Sequence, residues 1–228
     1  MYKYNLKKAF LAIAIVMATS WSTAAAQPKD YFSKPASATS TPDDKGFIRR
    51  WMLLEPIVKE NRTNIVFTDS YLRDAFNHEY FKGQKTVLPK DGAKVKVGGE
   101  TLQWHSLESN LYNVKLFRFG EATKNRLYGV LYWAVTMVNC DEDIPNVRLA
   151  VGSNSASMWW VNGEEALLLS GDRRMVVDDA MSHRITLKKG TNIIRGAVIN
   201  GPGMSDFCVR FVNEKGEPIK NIEIINPR

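Results

Sequence analysis

Cysteine and histidine are scarce in this chain of 228 residues, with two cysteines and three histidines. Cys140 and Cys208 show no C-x-x-C spacing, so a dithiol redox site and a cysteine zinc site are excluded. His78, His105 and His183 do not fall at zinc-ligand spacing either. No G-x-S-x-G elbow occurs: Gly152–Ser155 and Gly203–Asp206 are the nearest approaches, and neither fits. Repeats of 20 to 50 residues are absent, which rules out solenoids and propellers. Basic residues lie in pairs, Arg49-Arg50, Arg173-Arg174 and Lys188-Lys189, interspersed with Asp43-Asp44 and Asp178-Asp179. Nucleic-acid binding needs a clustered basic face, and none is present.

What is present first is a leader. Lys3, Lys7 and Lys8 precede an unbroken apolar run from Ala9 to Ala18, and Ala24-Ala25-Ala26 supplies a small-residue cleavage site. Ten helical residues span about 15 Å, half a bilayer core, so the expectation is a removed signal over residues 1–26 rather than a membrane anchor. The product is expected to be exported, to the periplasm or beyond. Three lysines leave with the leader, so part of the formal charge of +7 is not the mature protein's.

Residues 27–45 read QPKDYFSKPASATSTPDDK, rich in Pro, Ser, Thr and Ala and without periodicity. They are expected to form a flexible linker, on which Tyr31 and Phe32 are the residues able to dock. The whole chain, at 44% apolar and 11% aromatic, has an ordinary globular composition, and the remaining residues 46–228 suit one domain of about 180 residues. Thr68 or Asp69 caps one helix over Asp69–Asn77, which places Leu72, Ala75, Phe76 and Tyr80 near one face. Strands are expected over Phe47–Leu54, Leu111–Phe119, Arg126–Val138, Val147–Val151, Ala156–Val161, Ala166–Leu169, Met175–Val177, His183–Leu187, Ile193–Ile199 and Phe207–Val212. Asn162-Gly163 between two apolar runs is a hairpin signal. This pattern predicts an all-β fold: an antiparallel, jelly-roll-like β-sandwich with one short helix on the N-terminal side.

The strings VGSNSASMWWVNG (151–163), ITLKKGTNII (185–194) and FCVRF (207–211), with Arg173-Arg174 and the opening GFIRRWMLLEP (46–56), carry a resemblance. They resemble the galactose-binding-like β-sandwich domains that accompany bacterial acetylxylan esterases, glycosidases and sugar-binding proteins. The resemblance implies a single such domain over 46–228. Many relatives carry acidic residues after the Gly-Ser, in a loop that helps hold calcium or ligand; here Asn154 and Ser155 follow Ser153. Losing those carboxylates removes the hard ligands calcium prefers.

Adjacent strand residues point to opposite faces, so one of Trp159 and Trp160 is expected in the core and the other at the second face or solvent. An open indole is a platform for a sugar ring. Asn162, Arg173 and Arg174 would bond its hydroxyls, and the loop Asn200–Asp206 is either part of the rim or only a tight turn. The expected function is a non-catalytic carbohydrate-binding or ancillary module in polysaccharide utilisation, with a carbohydrate ligand and a separately encoded carbohydrate-active enzyme as partners. The alternatives are an esterase or glycosidase with an unrecognised site, or a structural protein-interaction module. No cofactor is expected. Asp141-Glu142-Asp143 leaves a structural calcium open, and Cys140 and Cys208 are either a disulfide or two buried thiols. Asp178 and Asp179 are expected to pair with Arg173 or Arg174.

Overall fold

The computed structural model describes residues 30–225. In chain order these form β1 (Phe32–Ser33), β2 (Thr39–Ser40), β3 (Arg50–Leu54), β4 (Ile57–Val58), α1 (Asp69–Asn77), β5 (Lys94–Val97) and β6 (Glu100–Ser109). There follow α2 (Leu116–Ala122), β7 (Val130–Cys140), β8 (Ile144–Ser153), β9 (Ala156–Val161) and β10 (Glu164–Leu169). The chain closes with β11 (Ala180–Met181), β12 (Ile185–Leu187), β13 (Gly190–Asn200), β14 (Phe207–Val212) and β15 (Glu223–Ile225). The expected leader lies outside the described residues, among which no helix is long and apolar enough to cross a membrane.

The run rich in Val, Leu, Tyr and Trp becomes the central strand. β7 pairs with β13 along its whole length, while β4, β3 and β15 share its other edge in succession. The large antiparallel sheet runs β1-β6-β3-β7-β13-β9-β10. In the small sheet β8 is central, with β14 on one edge and β11 and β12 on the other. Asn162 and Gly163 join β9 to β10 at φ 53° and 86°, the paired positive angles a two-residue hairpin needs. The fold is the all-β antiparallel sandwich that the strand pattern predicts.

Two cores hold it together. Between the sheets, Trp51, Leu53, Tyr132, Trp159 and Val198 face Leu149, Val151, Phe207, Val209 and Phe211. On the far side of the large sheet, Met52, Leu131, Trp133, Met158 and Trp160 are covered by Leu72, Ala75 and Phe76 of α1, with Phe67 and Phe81. Because both faces of the large sheet are covered, β7 and β9 are buried almost without alternation.

The described structure departs from expectation in four places. Residues 30–45 are not a free linker: β1 pairs with β6, β2 pairs with β15, and Arg50 Nη1 donates to Ser37 O at 3.1 Å. The predicted strand over Leu111–Phe119 ends in α2, because Leu116, Phe119 and Gly120 fall at the i, i+3, i+4 spacing of a helix, which buries them together. Met175–Val177 forms no strand, and Val176 and Val177 are exposed. Lys94–Ser109, outside the expected strands, forms the β5–β6 hairpin. Of the two readings open for the cysteines the structure holds the second: Cys140 and Cys208 are both buried and unbridged, one on each sheet.

Candidate functional site

The two tryptophans sit on opposite faces of β9, as alternation requires, but neither face is open. Trp159 is fully buried between the sheets, edge-on to Trp51 and Phe207 at 5.9 and 5.1 Å, with Nε1 donating to Ser157 Oγ at 3.0 Å. Its six-membered ring lies over Gly196, where any Cβ would come within 2.4 Å of it. Trp160 is 7% exposed and stacks on Trp133 beneath the layer that contains α1. The expected indole platform is therefore absent, because the second face is a second core.

Asn162 is exposed, but its amide is committed to the hairpin. Oδ1 accepts from Ile193 N and Nδ2 donates to Asn192 Oδ1, both at 2.9 Å. It borders a groove of about 430 Å³ with Glu164, Glu165, His183, Arg184 and Lys188. Most charges there are already paired: Glu165 with Arg73, Arg184 with Glu214 and Lys188 with Asp143. Neither Ser153 nor Ser155 lines this groove with His183; their hydroxyls donate to the backbone carbonyls of Ser155 and Met204. Asn162 and the arginines line different depressions.

Arg173 and Arg174 lie at the loop end of the sandwich, where the turns after β8, β10 and β13 meet the segment 61–66. Gly152 makes this convergence possible, because a Cβ there would lie 2.0 Å from Val176 O. Cross-links fix the loops: Asn64 Nδ2 donates to Asp172 Oδ1 at 2.8 Å, and Asp206 N donates to Asn154 Oδ1 at 2.6 Å. Asn200 Nδ2 donates to Leu127 O and Gly203 O at 3.1 and 3.0 Å. The result is a depression of about 310 Å³ lined by Asn64, Asn154, Asp172, Arg173, Arg174 and Met204, among others. Arg173 is tied to Asp179 and to Ser170 O, whereas Asp178 pairs with Arg210 instead. Arg174 is exposed and has no carboxylate partner among the described residues.

Pro202 and Gly203 also wall a second depression, of about 320 Å³, with Asn61, Arg62 and Tyr128. Tyr128 is 49% exposed, and its ring leans on Phe117 at 5.7 Å. The shared wall depends on Gly201: a Cβ there would come within 2.4 and 2.5 Å of Asn64 Oδ1 and Asn61 Oδ1. Those oxygens are buried and have no N–H or O–H donor. The loop 200–206 is thus a rim as well as a turn. Tyr128, Arg62, Asn61 and Asn64 escape a sequence reading; the signals available are the polar run Asn61–Asn64 and the pair Tyr128-Gly129, and nothing in the sequence says that they meet.

Beneath the rim, Asp206 anchors the loop. Lys115 Nζ donates to its Oδ2 at 2.6 Å, while burial pushes its carboxyl above the usual aspartate range. No calcium set accompanies these loops. Asp143 accepts from Lys189 N at 2.7 Å and from Lys188 Nζ at 3.1 Å, and among the described residues no three His, Cys, Asp or Glu side chains converge.

No family model and no curated protein matches the chain. Among solved structures it is similar to the crystal structure of β-glucosidase from Kluyveromyces marxianus in complex with glucose. Identity is 15% over 57% of this chain and 16% of that chain, with a TM-score of 0.38. The chain thus spans about a sixth of that protein's length.

Proposed function

We propose that the chain is an exported, non-catalytic β-sandwich of the galactose-binding-like kind that binds carbohydrate at the loop-end groove. The observation that carries this reading is the half-exposed Tyr128 ring, set beside Asn61 and Arg62 and separated by the Pro202-Gly203 wall from Asn154, Asp172 and Arg174. A tyrosine face supplies apolar contact for a sugar's C–H groups. Amide and guanidinium groups around it supply directional bonds for hydroxyls. The carboxylate lining these depressions is Asp172, with Oδ1 already bonded to Asn64, whereas acid-pair glycoside hydrolysis uses two carboxylates about 5 to 10 Å apart. Such a module acts in polysaccharide utilisation beside a separately encoded carbohydrate-active enzyme.

Affinity electrophoresis against a panel of neutral and acidic polysaccharides tests it. At least one glycan retards the protein, and Tyr128→Ala abolishes the retardation without lowering the thermal midpoint. Absence of retardation by every glycan in the panel defeats the reading.

A further inference from the structure

Most other arginines with a charged neighbour are neutralised, Arg173 beside the groove included. Arg73 meets Glu165, Arg126 meets Glu60 at 3.1 Å, Arg173 meets Asp179 and Arg184 meets Glu214 at 2.9 Å. Arg62 and Arg174 differ, since both are exposed and neither has a carboxylate partner among the described residues. Each lines one of the two depressions that share the Pro202-Gly203 wall. A guanidinium presents a planar fork that matches a carboxylate or sulfate with two parallel bonds. Two such forks flanking one wall, with an aromatic face beside one of them, suit a polymer that carries an anion on successive sugars.

We propose, resting on the carbohydrate reading above, that the groove selects an anionic polysaccharide. Arg62 and Arg174 each bind one carboxylate or sulfate group, and Tyr128 stacks on the sugar beside Arg62. The placement favours a glycan over a nucleic acid, because among the described residues lining the two depressions only two guanidinia are free of a carboxylate, and they stand among amides rather than in a basic cluster.

The test uses affinity electrophoresis with two matched pairs: polygalacturonate against its carboxyl-reduced form, and dextran sulfate against dextran. The first pair reports carboxylate recognition and the second sulfate recognition. At least one acidic member is expected to bind about tenfold or more tightly than its neutral partner, with salt weakening the binding. Arg62→Gln and Arg174→Gln each lower that affinity about tenfold, while Arg184→Gln, which removes the same charge from another groove, leaves it unchanged. Equal binding of acidic and neutral members overturns the inference and leaves the carbohydrate reading standing; failure of all four polymers and of the wider glycan panel removes both. An Arg184→Gln effect as large as that of Arg62→Gln, or equal displacement by single-stranded DNA, marks diffuse charge attraction and overturns the inference.

Discussion

Trp160 stacks on Trp133 at 5.7 Å with the rings 21° from parallel, on the face of the large sheet that the α1 layer closes. The pair is therefore a packing element of the second core. Trp160→Ala is expected to lower stability by about 3–5 kcal/mol, the usual cost of deleting a buried large aromatic ring. Trp160→Phe costs less and leaves glycan retardation unchanged. Chemical denaturation gives the first result and affinity electrophoresis the second. Loss of binding in a stably folded Trp160→Phe would return the site to β9.

That residue also shows where sequence reasoning stops. Alternation places Trp159 and Trp160 on opposite faces of β9, and the structure agrees. Whether a face is open depends on what covers it, and the cover is α1 with the irregular segments around Phe67 and Phe81. The helix is legible residue for residue from Asp69 to Asn77, because Thr68 caps it and one stripe is apolar. Its destination is not legible, since loops carry no periodicity that says where they fold. Tyr128 escapes notice for a related reason. It stands at the front of the long apolar run that becomes β7, two residues before the strand begins, where a strand pattern gives no warning of exposure.

The N-terminal segment should matter to stability. Phe32 meets Phe119 edge-on at 6.4 Å, Arg118 lies over the Tyr31 ring at 5.1 Å, and Asn110 N donates to Tyr31 O at 2.9 Å. A chain beginning at Gly46 is expected to lose about 2 kcal/mol, and Phe32→Ala alone about 1 kcal/mol, the amount expected for a half-buried ring. Denaturant midpoints measure both. An unchanged midpoint on truncation would restore the free linker.

Both thiols should stay silent in the folded protein. Cys140 lies in β7 and Cys208 in β14, and burial pushes both thiols up, Cys208 to about 11. Thiolate is the reacting form, so burial and the raised value act in the same direction. An aromatic disulfide reagent at pH 7 is expected to label neither cysteine until denaturant is added, and both afterwards. Full labelling in native buffer, or an intact mass matching a disulfide, contradicts this.

Asp206 should give the protein a measurable dependence on acid. Burial raises its folded value above that of an unfolded aspartate, and Lys115 offsets the rise only in part. Between the two values the native chain binds a proton that the unfolded chain has released. Stability from this group is therefore full below the unfolded value and is lost as pH rises through the folded one. Asp206→Asn cannot release that proton, so the stability of the wild type minus that of the variant is expected to fall as pH rises from the acid range towards neutrality. Lys115→Met removes the cation that favours the charged carboxylate, and should steepen the same fall. Unfolding free energies measured for the three proteins across that range decide it; parallel curves would mean that Asp206 is solvated. Because Asp206 N also holds Asn154 Oδ1, its ionisation should loosen the wall of the groove as well. Glycan affinity at fixed ionic strength should therefore weaken over the same pH interval in the wild type and stay level in Asp206→Asn.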